Sequence, residues 1–204
     1  MKLTVTTFVS IDGVAQGPGG PEEDLSGGFE HGGWVVPLFD DDTGAFIEEV
    51  FGRGDAFLLG RKTYDIFAAS WPNATDPDDI VADRLNTLPK FVASTTLTDP
   101  KWGPTTVLDG DIVSAVAELK SRPGRELQVH GSLELVRTLH EHDLVDEHNL
   151  LTFPVVVGQG RRLFAERGLD TRMSLVESRS TSTGVIIAVY RREGRAEFGT
   201  MEVE

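Results

Sequence analysis

The segment that constrains this chain most is Asp55–Trp71, DAFLLGRKTYDIFAASW. Ala56–Leu59 is a short, wholly apolar run, too short for a stable helix and suited to a buried strand. Gly60 then turns the chain, and Arg61, Lys62 and Thr63 open a helix in which Tyr64, Phe67 and Trp71 recur at helical spacing. The first N–H groups of a helix lack intrahelical partners and sit at the positive end of its dipole, so such a unit can hold an anion. The whole chain carries 33 acidic against 19 basic residues, a net charge of −14. Adjacent cations at a helix start are an exception on so acidic a protein, and a nucleotide phosphate gives them a reason. The aromatic spacing that follows reads as core packing.

The same alternation recurs along the chain. Thr4–Val9, Ala56–Leu59, Phe91–Ala93, Thr106–Leu108 and Leu127–His130 read as strands. Helical patterns cover Asp42–Phe51, Thr63–Ala69, Ile80–Leu88, Asp111–Ser121 and Leu133–His142. Asp78 or Asp79 caps the third of these, and an Asp starts the fourth before Pro123-Gly124 stops it. Glu147–Val157 reads as one long apolar strand containing Pro154, and Met173–Ser180 with Gly184–Arg191 as a final antiparallel pair. Strands alternating with helices predict an α/β fold, a mainly parallel mixed sheet covered on both faces with an antiparallel C-terminal edge. We read residues 1–192 as one domain and 193–204 as a loose polar tail.

Several function classes fall away on composition. The acidic balance argues against nucleic acid and anionic membrane surfaces as partners, since both demand basic surface. No apolar run approaches a bilayer span, and the start alternates like a strand rather than a signal peptide. With no cysteine there is no disulfide and no thiolate chemistry, which fits a cytoplasmic location. The acidic and histidine residues between His140 and His148 invite a metal reading. However, His140 and His142 lie two apart on a helix and point to different faces, so no metal is expected.

Three strand ends converge on one chemistry: Gly60-Arg61-Lys62-Thr63, Ser94-Thr95-Thr96 and His130-Gly131-Ser132 each follow a short apolar strand. Ligands of open parallel sheets sit at the carboxyl ends of strands. Together these ends describe a groove for an extended dinucleotide. GxGxxG, GxxxxGK[ST] and GxSxG are all absent, which sets aside Rossmann, P-loop and serine-hydrolase readings. The Gly-rich segment Asp12–Pro37 carries Phe29, His31 and Trp34 between its glycines, as a binding loop or lid does.

The segments SIDGVAQGPGG, FLLGRKTYDIF, VASTTL, LQVHGSLELVRTL and LVDEHNLLTFPVVVGQGRRLF, in this order, resemble the dihydrofolate-reductase-like proteins. Those proteins share the fold of the reductase domain of bacterial riboflavin biosynthesis. The resemblance runs from Leu3 to about Arg191. It implies an eight-stranded sheet, an NADPH groove across it and assembly as a homodimer. Gly60, Arg61, Lys62 and Thr63 then inherit contacts to the cofactor phosphates, Ser94 and Thr95 the adenosine side, and Gly131, Ser132 and Leu133 the pyrophosphate. Asp12, Gly13, Ala15, Gln16 and Gly17 inherit a place over the nicotinamide.

Dihydrofolate reductases carry a pterin-binding carboxylate on the first helix, where the spacing here gives Gly44. Dihydrofolate is therefore not the expected substrate, and a small pterin- or pyrimidine-like heterocycle lying near Trp34, Phe46 and Glu49 is. Asp12, Trp34 and Glu49 are the candidate catalytic residues, with Asp12 or water as proton donor. Trp34 either faces the substrate or anchors its loop. The rival readings are a flavin or deazaflavin reductase and a nucleotide-binding module without catalysis.

Overall fold

The computed structural model describes residues 1–74, 76–164 and 166–201. Eight strands form one sheet in the order β4-β3-β2-β5-β1-β6-β8-β7. They are β1 (Lys2–Ser10), β2 (Gly54–Gly60), β3 (Lys90–Ala93), β4 (Thr105–Leu108), β5 (Glu126–His130), β6 (Glu147–Phe153), β7 (Arg172–Ser180) and β8 (Ile186–Gly194). The first six are mutually parallel, and β8 lies antiparallel between β6 and β7. The described residues also form the α-helices α1 (Asp41–Arg53), α2 (Arg61–Ser70), α3 (Ile80–Thr87), α4 (Ile112–Ser121) and α5 (Leu133–Glu141).

Local chemistry sets these boundaries. Asp40, Asp79 and Asp111 cap α1, α3 and α4 by accepting from the amides of Thr43, Ala82 and Val113 at 2.9, 3.0 and 3.1 Å. Helix α2 begins at Arg61, earlier than the sequence pattern places it, so Arg61, Lys62 and Thr63 form its first turn. The long strand expected over Glu147–Val157 stops at Phe153, because Pro154 has no N–H for the ladder.

The tail expected from residue 193 begins inside the sheet, since β8 runs to Gly194. Beyond it, Arg195 donates to Asp143 Oδ2 at 2.5 Å and Ala196 N donates to Asp170 Oδ2 at 3.1 Å. The end of that tail, residues 202–204, lies outside the described residues, as does Thr75 within the loop expected over Pro72–Pro77.

Two of three buried clusters sandwich β1, β2, β3 and β5, and the third gathers Trp34, Phe46, Leu151, Phe153 and Ile187. On one face Leu3, Val5, Leu58, Leu127 and Val129 pack against Val116 and Leu119 of α4 and Leu135, Val136 and Leu139 of α5. On the other, Phe57, Leu59 and Val92 meet Phe51 of α1, Tyr64 of α2 and Leu85 of α3. Each fully buried leucine among them contributes roughly 1.5–3 kcal/mol. This leaves the carboxyl ends of β1, β2 and β5 side by side at one rim of the sheet, with the amino ends of α2 and α5 above them.

Candidate functional site

Ser132 joins the amino ends of α2 and α5. Its Oγ accepts from Gly60 N at 2.8 Å and donates to Thr63 Oγ1 at 2.7 Å. Two backbone features permit the contact. Gly131 holds φ +68°, a conformation that glycine adopts without steric cost. A Cβ on Gly60 would lie 3.1 Å from both Cβ and Oγ of Ser132, so any larger residue there would press Ser132 out of its contact by a few tenths of an ångström.

These ends form one side of a groove of about 1280 Å³. Ala15, Gly17, Gly60, Arg61, Lys62, Thr63, Gly131, Ser132 and Leu133 all line it. Its other end is walled by Phe8, Phe39, Ile47 and Phe51, with Gly44, Glu48 and His130 beside them. The lining is thus charged at the first turn of α2, where Lys62 meets Asp24, and apolar toward α1 and the later turn of α2 that carries Ile66 and Phe67.

A carboxylate already occupies the cations. Asp24, on the Gly-rich loop, accepts from Lys62 Nζ and from Arg161 Nη2. It also accepts from Ser26 N at 3.0 Å. Burial works against its charge, yet Lys62, Ser26 and Arg161 together hold its carboxyl well below the usual range. Gln16 fastens the same loop: its Nε2 donates to Asp24 O at 3.1 Å and Ser26 O at 2.9 Å, and its Oε1 accepts from Arg161 N at 2.9 Å. The loop over Asp12–Pro37 therefore lies closed on the groove and tied to the segment after β6.

The remaining expected residues fall elsewhere. Ser94 and Thr95 are not among the groove's lining residues; Ser94 Oγ accepts from Thr96 N and Leu97 N at 3.2 and 3.1 Å, closing its own turn. Arg61 reaches that turn through Thr96, whose Oγ1 accepts from Nη1 at 3.0 Å. Trp34 is buried: its Nε1 donates to Gln16 O at 2.9 Å and its ring meets Phe153 edge-on at 5.8 Å. It anchors its loop, the second of the two roles open to it.

Phe46 is 1% exposed in the same core, and Glu49 accepts from Arg179 Nη2 at 2.8 Å on the surface. Asp12 accepts from Ser10 Oγ at 2.6 Å, Val157 N at 3.0 Å and Gly158 N at 2.9 Å. The Ser10 hydroxyl and those amides bring its carboxyl down to about 2 against a desolvation cost. None of these four lines the groove.

Sequence reasoning passed over Asp24 and Arg161 and gave His130 no role of its own. His130 had a signal, as the last residue of a buried strand before Gly131-Ser132. Among the described residues no group of three or more metal-ligating side chains converges; His142 Nδ1, for instance, lies 2.9 Å from Thr138 O within its own helix. No described helix is long and apolar enough to cross a membrane.

The model of a family described as the RibD C-terminal domain matches residues 1–187. The chain is 28% identical over 195 residues to the uncharacterized protein YyaP of Bacillus subtilis, covering 95% of this chain and 96% of that one. Among solved structures, a protein of Shewanella sp. PV-4 named for riboflavin biosynthesis superposes with a TM-score of 0.70 at 23% identity, covering 95% of this chain and 99% of that one. A pyrimidine reductase-like protein of Corynebacterium diphtheriae follows at 0.63 and 16%, with coverages of 94% and 92%. The diaminohydroxyphosphoribosylaminopyrimidine deaminase/5-amino-6-(5-phosphoribosylamino)uracil reductase of Thermotoga maritima gives 0.60 at 12%, over 94% of this chain and 56% of that one. The fold is dihydrofolate-reductase-like, as the sequence implies.

Proposed function

The chain belongs to the RibD C-terminal domain family, and from that membership we propose that it is an NADPH-dependent reductase delivering hydride to a small pyrimidine- or pterin-like heterocycle. One observation carries the reading. A single groove has two helix amino ends and three cations (Arg61, Lys62 and Arg161) at one end, and an aromatic wall at the other. That donor set fits a ligand bearing phosphates at one end and a flat ring at the other. The names of two structural neighbours, a pyrimidine reductase-like protein and a uracil reductase, support a pyrimidine-type substrate.

The bound cofactor would supply the hydride; the chain supplies placement and dryness. The amides of α2 and α5, Thr63 and Ser132 hold the pyrophosphate, while Arg61 beside Thr96 takes the additional phosphate of NADPH. Ala15 and Gly17 close the loop over the reacting ring and keep water out. Phe8, Ile47 and Phe51 hold the heterocycle flat. Asp12, charged and engaged by three donors, has no proton to give at neutral pH. Water entering beside Glu48 on the rim is the proposed proton source. The cysteine-free, acidic chain fits a cytoplasmic enzyme.

The test is a titration of the purified protein with NADPH followed by fluorescence, then a search for loss of NADPH absorbance with a panel of pyrimidines and pterins. Turnover by one of them supports the proposal. Tight binding without turnover across the panel leaves a nucleotide-binding module. A yellow protein with flavin absorbance, indifferent to NADPH, replaces the cofactor assignment with a flavin.

Assembly is part of the same proposal. Strand β7 is an edge with most residues exposed, and Leu175, Val176 and Ile186 present apolar side chains on the β7–β8 ribbon. Edges of this kind demand cover, and a homodimer supplies it. Light scattering at micromolar protein that returns 22.2 kDa refutes the dimer.

A further inference from the structure

His130 is the one imidazole among the described residues that line the groove. Its tautomer is set from the far end of its own strand. Gln128, two residues earlier on the same face of β5, donates its Nε2 to Val50 O at 2.6 Å and to Glu126 Oε2 at 2.9 Å. A carbonyl and an ionised carboxylate can only accept. Glu126 is ionised: burial opposes its charge, but Gln128, Lys2 and Arg53 hold its carboxyl below the usual range. Its Oε1 lies 3.2 Å from both Lys2 Nζ and Arg53 Nε. The amide of Gln128 is therefore fixed with Oε1 toward His130 Nε2, 3.3 Å away. An amide oxygen can only accept, so the proton of His130 resides on Nε2.

The ring is neutral, because burial pushes the imidazole down to about 4 against the pull of Glu126. Its plane is held by a stack on Phe51, with centroids 4.3 Å apart and planes 23° apart, and by Phe57 at 5.7 Å. What remains is Nδ1, a bare acceptor with no partner among the described residues. His148 makes the contrast: both of its nitrogens are buried without partners among the described residues, whereas the 8% of His130 left exposed borders the groove.

We propose that His130 is a specificity residue whose Nδ1 accepts a hydrogen bond from an amide- or lactam-type N–H of the ring system bound at the apolar end of the groove. The proposal rests on the reductase reading and deepens it. A ring with such an N–H completes the acceptor; a carbonyl or carboxylate in the same place faces a lone pair and is disfavoured. The donor belongs either to the carboxamide of the nicotinamide or to the substrate's own lactam, and the chemistry is shared.

Nitrogen NMR of the ¹⁵N-histidine-labelled full chain decides the matter, with His130→Phe to assign the signals. In the free protein, a pyridine-type Nδ1 and a pyrrole-type Nε2 at His130 are expected. Four probes follow: NADPH, its 3-acetylpyridine analogue without the carboxamide N–H, uracil, and 1,3-dimethyluracil without ring N–H. We expect NADPH or uracil to draw the Nδ1 resonance toward the hydrogen-bonded position while its N–H-free counterpart does not, and the responding pair names the source.

His130→Phe should weaken the responding ligand about three- to tenfold, the scale of one neutral hydrogen bond, and leave its counterpart unaffected. His130→Asn, which restores an amide oxygen near the place of Nδ1, should recover most of the loss. A protonated Nδ1 in the free protein overturns the proposal, and so does an unmoved Nδ1 with NADPH and uracil both shown to bind by titration. If NADPH fails to bind while uracil moves Nδ1, the reductase reading falls and the role of His130 stands.

Discussion

The two ends of the groove are built from different materials. The cationic end sets Arg61, Lys62 and Arg161 on a backbone frame: the amino ends of α2 and α5, a positive-φ glycine at Gly131 and a close approach at Gly60, linked by the hydroxyls of Ser132 and Thr63. The aromatic end is side chain, and one residue of its wall, Phe51, is also core. Phe51, 4% exposed, lines the groove and packs on Phe57 within the cluster that includes Leu59 and Leu85. The difference teaches that damage should separate cleanly. Lesions at the cationic end cost ligand affinity, and truncation of a buried ring at the aromatic end costs the fold as well.

The sharpest test is Phe51→Ala. Loss of a buried phenylalanine should destabilise the protein by about 3–5 kcal/mol in denaturant unfolding. A loss below about 1 kcal/mol breaks the claim that this part of the wall is core. At the other end, Arg61→Ala should weaken NADPH more than NADH by about 1.5–3 kcal/mol, the range for a lost charged hydrogen bond. Stability should shift only slightly, since Arg61 forms an exposed pair with Asp65 worth about 0.3–0.5 kcal/mol. Equal losses for both cofactors remove Arg61 from the additional phosphate.

Acid sharpens the same contrast through two buried histidines. His130 and His148 each fall to about 4 through burial. Between their unfolded value of 6.5 and about 4, the unfolded chain binds more protons than the folded one. Stability should therefore drop as pH falls through that window, by up to roughly 1.4 kcal/mol per unit for each ring. Glu23, pushed up mainly by burial, offsets part of this. His148→Phe should remove one share of the slope without touching ligand affinity. An unchanged slope refutes the assignment.

The smallest effect is kinetic. NADPH should slow amide hydrogen exchange across Asp12–Pro37 more than in the residues after Arg192. Identical exchange with and without the cofactor, and with any heterocycle that turns over, makes the segment a plain connection rather than a lid.

The same division explains what could be read in advance. Strand–helix alternation and the strand-ending turns are local patterns, so the parallel sheet, its antiparallel edge and the groups at Gly60–Thr63 and Gly131–Leu133 were visible in the sequence. The aromatic end depends on helix phase. Gly44, Ile47, Glu48 and Phe51 share the groove side of α1, while Phe46 and Glu49 face the core and Arg179. Glu48 and Glu49 differ by about 100° of rotation, and only tertiary packing tells which one looks inward. Asp24 with Lys62 and Arg161, or His130 with Glu126 across Gln128, are encounters fixed by the folded chain. Residue type alone gives no sign of them.

Asp24 has one more consequence. It is an internal counterion: Lys62 and Arg161 share its carboxylate, and Arg161 also lies 3.6 Å from Glu134, before any ligand arrives. A phosphate that reaches them exchanges places with a carboxylate instead of meeting free positive charge. Binding at that point becomes ion exchange with little change in net charge, so its dependence on ionic strength should be shallower than the number of basic side chains implies. The displaced carboxylate carries its loop with it, which ties the arrival of an anion to a movement of the chain that lines the groove.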